Sequence, residues 1–141
     1  MSTEPAAVPP WTGEGPAQTI ADSINVGKPR DATMAVRAIQ DSGGRGVKVS
    51  DDEIIAAIPK LARETGVFVE PAAAAAYAGF MRLCESSAVR PQERVLLMLT
   101  GNGLKDIDAS RRAVGEPMRV APDIGISELE LRIADARRQR A

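Results

Sequence analysis

The 141-residue chain has no histidine and a single cysteine, Cys84. Without histidine, a His/Cys metal site and any histidine-based catalytic relay are excluded within this sequence. One cysteine excludes an internal disulfide and agrees with a reducing, cytoplasmic setting. No apolar run approaches the about 18 residues of a membrane-spanning helix, so no membrane partner is expected. An excess of basic charge is also missing: 18 Lys and Arg face 19 Asp and Glu, a net charge of -1. That balance argues against nucleic acid or an anionic membrane as the main partner. Arg137, Arg138 and Arg140 cluster at the carboxyl end and read as helix-end chemistry rather than a recognition patch. The opening "MSTEPAAVPPWTGEGP" lacks a basic start and an apolar h-region, so it does not read as a signal peptide.

What remains is a globular composition, 44% hydrophobic and 26% charged, at the length of one domain. Residues 1–16 form an extended, proline-rich lead-in in which Trp11 pins the segment to something apolar. A helix is predicted from Asp31 to Ser42, capped by Asp31, with Met34, Ala35, Ala38 and Ile39 on one face and Gly43-Gly44 as its stop. "GVKVS" alternates like a strand. "SDDE" is a capping box, Ser50 with Glu53, opening a helix with Ile54, Ile55, Ile58, Leu61 and Ala62 as its buried stripe. Pro59 predicts a kink or break within it, and Gly66 ends it.

"VFV" is a short apolar run, and Glu70-Pro71 opens a helix reaching about Glu85. "ERVLLMLT" is continuous and apolar, the pattern of a central parallel strand. "MRVAP" reads as an edge strand. Ser127 with Glu130 predicts a second capping box, with Ile126 and Leu131 as its hydrophobic staple. The order of elements implies an α/β layer: a partial three-layer parallel sheet with flanking helices.

Three stretches could carry chemistry. In "LTGNGLKD" the glycines permit positive φ or close backbone approach to a ligand, and Thr100 offers a hydroxyl at the end of the predicted strand. The same residues also suit a plain tight turn, with Lys105 and Asp106 a solvated pair or cap. The spacing to Lys105 is not that of a Walker loop. In "EPAAAAAYAG" the alanines make a helix face of little bulk, able to approach a sheet or a flat cofactor, though helix propensity alone accounts for them. Glu70 also suits the helix dipole. In "TIADSI" the Thr, Asp and Ser are ordinary backbone cappers. Cys84 falls with Tyr77, Phe80 and Met81 on a predicted apolar face and reads as core.

Taken in order, "TIADSI…VGKPRD", "SGGRGVKVSDDEI", "LARETGVFVEPAAAAAYAG" and "RVLLMLTGNGLKD" resemble the carboxyl-terminal part of threonine synthase. More widely they resemble pyridoxal-phosphate enzymes of the tryptophan-synthase-β type, fold type II, which include threonine and serine dehydratases. The resemblance covers roughly residues 17–108. It implies that residues 17–115 are part of such an α/β domain, followed by an extended segment and helix over 116–141.

It also implies three cofactor contacts. Thr100 matches the Ser/Thr that hydrogen-bonds the pyridine nitrogen, a neutral partner that restrains the electron sink. Glu70 matches the Glu of the "EP" motif. Ser23 matches a position, usually Gly or Ala, that packs beside the ring. The family's Schiff-base Lys and its phosphate-holding glycine loop lie in an amino-terminal half. None of Lys28, Lys48, Lys60 and Lys105 sits in that lysine motif.

The expected function is therefore the carboxyl-terminal segment of a threonine-synthase-like lyase, whose parent reaction turns O-phosphohomoserine and water into threonine and phosphate. Alone it should bind pyridoxal phosphate weakly and turn over nothing. Its partner would be the missing amino-terminal half or, through uncovered apolar faces, a second copy of itself. Two alternatives stay open: another amino-acid lyase or dehydratase of the same superfamily, and a stand-alone, non-catalytic binding module.

Overall fold

The computed structural model describes residues 18–27 and 29–138. The proline-rich lead-in, Trp11 and Lys28 lie outside them. Among the described residues five α-helices follow one another: α1 (Ala32–Asp41), α2 (Asp51–Thr65), α3 (Pro71–Glu85), α4 (Ile107–Val114) and α5 (Ile126–Arg138). Short 3-10 turns cover Asp22–Ile24 and Gly103–Lys105.

The centre is α2 against α3, with α4 also packed on α2. α2 starts as its sequence dictates. The Ser50 hydroxyl accepts from Glu53 N, and the Glu53 carboxylate accepts from Ser50 N, so both halves of the capping box are made. Those Ser50 hydrogen bonds, backbone first, hold the Glu53 carboxyl below its ordinary pKa. Gly66 closes the helix at φ 76°, and its N–H reaches Ala62 O. Pro59 neither breaks nor ends α2, contrary to expectation. Its lost hydrogen bond is one among many, and Ile54, Ala57, Ile58 and Leu61 bury the helix on both sides of it.

α3 begins with Pro71 at its first turn, where the missing N–H costs nothing. Ala73, Ala74 and Ala78 are buried with the α2 stripe, so the alanine face serves helix–helix contact. Tyr77 is buried and donates to Glu64, and its phenol is pushed up to about 12, by burial first and the carboxylate second.

Three expectations about packing are corrected. α1 has the predicted bounds, but none of its residues is buried, and Met34 is 70% exposed. Cys84 is exposed rather than core, in the last turn of α3. α5 starts at Ile126, with Leu129 N donating to Gly125 O, so Ser127 lies inside the helix and cannot cap it. Ile126 and Leu131 are exposed and form no staple.

The predicted parallel sheet is not seen: among the described residues no strand forms. An isolated antiparallel bridge joins Val69 to Asn102. Residues 46–50 and 93–100 do keep the period-two burial of extended chain. Val49, Leu97 and Leu99 pack toward the core while Leu96 and Met98 stand 83% and 67% exposed. Val47, Val95 and Leu97 line the same apolar hollow on α3. A ladder needs a neighbouring backbone about 4.8 Å away in register. Here the two segments share α3 without exchanging backbone hydrogen bonds. "MRVAP" likewise stays outside any strand, with Met118 and Val120 exposed.

Candidate functional site

The site is built around the bridge. Glu70 N donates to Gly101 O at 3.1 Å, and Gly103 N donates to Phe68 O at 3.2 Å. The two segments therefore lie face to face, and both glycines are explained by what sits on them. A Cβ on Gly101 would overlap the Glu70 carboxylate itself. A Cβ on Gly103 would come within 2.5 Å of the Phe68 ring. Neither glycine has positive φ. The close approach anticipated for a ligand is thus made to the chain's own side chains.

Asn102, Lys105 and Asp106 also have tasks. The Asn102 side chain accepts from Leu104 N at 2.9 Å, capping the 3-10 turn. Asp106 accepts from Ala109 N at 2.9 Å and starts α4, an element the sequence reading did not anticipate. Lys105, between these caps, reaches Glu70 Oε2 at 2.8 Å. It was expected to be solvated or paired with its neighbour Asp106.

Glu70 is buried, and its side chain is 9% exposed. Ser23, in the 3-10 turn over Asp22–Ile24, donates to Glu70 Oε2 at 3.4 Å and to Asp22 Oδ1 at 3.2 Å. That turn is itself tied down. Thr19 Oγ1 donates to Asp51 Oδ1 at 2.6 Å and Ile20 N to Asp51 Oδ2 at 3.0 Å, at the start of α2, and Ala21 is buried in the core. The structure thus brings Ser23 and Glu70 together and lays the Glu70 carboxylate on Gly101, the residue after Thr100. Thr100 itself is exposed, and its hydroxyl bonds no other described residue. Glu70 first through its hydrogen bond, then through its charge, raises the Lys105 ammonium above its ordinary pKa, and Asp22 adds to this.

A family model described as "Pyridoxal-phosphate dependent enzyme" matches residues 3–101. The chain belongs to the pyridoxal-phosphate-dependent enzyme family. That family is α/β in architecture. The chain is 43% identical to the threonine synthase of Methanocaldococcus jannaschii over 109 residues, 77% of this chain and 27% of that protein. It is 41% identical to the threonine synthase of Mycobacterium tuberculosis over 116 residues, 81% of this chain and 32% of that protein. With that of Mycobacterium leprae it shares 45% identity over 93 residues, 66% of this chain and 26% of the relative. The chain therefore spans about 30% of the length of these relatives. Among the described residues of this pyridoxal-phosphate-family chain, no helix is long and apolar enough to cross a membrane, and no group of three His, Cys, Asp or Glu could hold a metal ion.

Proposed function

We propose that this chain is the carboxyl-terminal, ring-facing part of a threonine-synthase-like, pyridoxal-phosphate-dependent lyase, acting in the cytoplasm on a small amino-acid substrate. In the parent reaction O-phosphohomoserine and water give threonine and phosphate. The observation that carries the reading is convergence. Ser23 and Glu70, far apart in sequence, are drawn together: Ser23 Oγ lies 3.4 Å from Glu70 Oε2, and the carboxylate rests on Gly101, the residue after Thr100.

The donor set suits one end of the cofactor. The free Thr100 hydroxyl can donate to a ring nitrogen, leaving the ring less positive than a carboxylate partner would. Glu70 and Ser23 form the adjoining wall. When bound, pyridoxal phosphate supplies the electron sink for chemistry at the α and β carbons of an amino acid. In this reading the covalent anchor comes from elsewhere, because none of Lys28, Lys48, Lys60 and Lys105 sits in the family's lysine motif. The phosphate cradle also lies on other polypeptide, in the amino-terminal half that this reading makes the partner. The partial parallel sheet belongs to the same proposal: residues 46–50 and 93–100 would pair once that half covers Leu96 and Met98.

The test combines this chain with the lysine-bearing amino-terminal segment of the Mycobacterium tuberculosis threonine synthase and adds pyridoxal phosphate. The complex should develop a visible cofactor band that borohydride removes, and Thr100→Ala should shift that band. The chain alone should show little. A complex without the band, or a stoichiometric borohydride-trapped adduct on the chain alone, overturns the reading.

A further inference from the structure

Glu70 is the buried charged side chain of the core among the described residues, and it stands where the proposed ring would approach. A carboxylate taken out of water needs a cation or several good donors, because burial penalises its charge. Ser23 is a weak answer. Its hydroxyl is neutral, sits at 3.4 Å and is shared with Asp22. Lys105, at 2.8 Å, is the cation within ion-pair distance among the described residues. The turn places it there: Lys105 N donates to Asn102 O at 3.1 Å, and Asp106 N donates to Gly103 O at 3.2 Å. The carboxylate is thus held from above by the ammonium and from below by a backbone that has no Cβ.

We infer that Lys105 is a positioning residue, whose ammonium clamps the Glu70 carboxylate onto Gly101 and neutralises it, so that the wall beside Thr100 offers an aromatic ring nitrogen a hydroxyl and no net negative charge. A lone carboxylate beside a pyridine nitrogen favours its protonated form. A carboxylate already paired with an ammonium does so far less. The arrangement therefore guards the neutral ring state that a Thr partner suits. The role at the ring rests on the function proposed above, whereas the clamp is a property of this chain alone. The charged groups facing it are Glu70 and Lys105, with Asp22 beside them.

Two measurements separate these parts. In the full chain, lysine side-chain NMR titration, assigned by Lys→Arg variants, should find Lys105 titrating above the ordinary lysine range, and Glu70→Gln should return it to that range. A Lys105 that titrates in the ordinary range, or that ignores Glu70→Gln, overturns the clamp. In the cofactor-loaded complex, the pH profile of the cofactor band should move to higher pH in Lys105→Met and return in Lys105→Arg. One shared profile for all three overturns the role at the ring. A complex that takes up no cofactor overturns the proposed function and the ring role with it, while the Lys105 titration still decides the clamp.

Discussion

Residues 93–99 and residues 100–106 are neighbours in sequence and opposites in environment. In the second stretch nearly every residue is answered within the chain. Gly101 lies under Glu70, Asn102 caps its own turn, Gly103 lies under Phe68, Lys105 pairs with Glu70 and Asp106 caps α4. In the first stretch only alternate side chains are answered. Leu97 and Leu99 reach the core, Leu96 and Met98 reach solvent, and the backbone joins no ladder. The turn is completed by its own caps and by one facing segment, around Phe68 and Glu70. A central strand is completed by neighbours on two edges and cover on two faces. The turn needs one neighbour and has it within this chain, whereas the run needs several.

The contrast predicts where substitutions should hurt. The largest effect belongs to the shared core beneath the turn. Leu61→Ala removes a buried side chain that belongs to the same cluster as Val69, and should cost about 3 kcal/mol of unfolding free energy, read by urea denaturation. A loss under about 1 kcal/mol would mean that α2 and α3 are not the packed centre.

Gly101→Ala should come next, at about 2 kcal/mol, because the new methyl meets a carboxylate that Lys105 and Ser23 already hold. The cost should shrink in a Glu70→Ala background, since the obstacle is then gone. Equal costs in both backgrounds would show that the glycine answers to something other than Glu70.

Lys105→Met should destabilise the chain at neutral pH by less than Gly101→Ala does, because the ammonium end is largely exposed. The pH sign follows from its raised pKa. The folded chain binds this proton more tightly than the unfolded chain does. The contribution is therefore complete below the ordinary lysine pKa of about 10.4 and is lost as pH rises through the folded value. Wild type should weaken on that alkaline limb, and Glu70→Gln should flatten it. Glu64 runs the other way. Lys60 first, then Tyr77, lower its pKa, so its contribution is present above the ordinary carboxylate range and fades as pH falls through the folded value.

What the sequence revealed divides between local signals and signals that need distant cover. The Ser50–Glu53 box, the Gly66 stop and the Glu70-Pro71 start are all local signals, and the structure has each of them. Ser23 and Glu70 were singled out through a resemblance, and they meet in space although 47 residues apart. Lys105 was read as solvated, because its partner lies across the bridge and only the folded turn delivers it. The strands, the buried face of α1 and the Ile126–Leu131 staple are not seen among the described residues, for one reason. An apolar pattern says that a face suits burial, and it says nothing about whether the covering surface is there.

The smallest effect is expected in the open run, and it tests the contrast most sharply. Leu96 is large, apolar and 83% exposed, so in this chain Leu96→Ser removes almost no buried contact and should change unfolding by less than about 0.5 kcal/mol. The same substitution should nevertheless lower concentration-dependent light scattering, because Leu96 and Met98 form part of an apolar surface available to a second copy. It should also weaken assembly with a lysine-bearing half, where the residue would be covered. An unfolding cost like that of Leu61→Ala would mean that Leu96 is already packed within the chain. The open run would then be as closed as the turn that follows it.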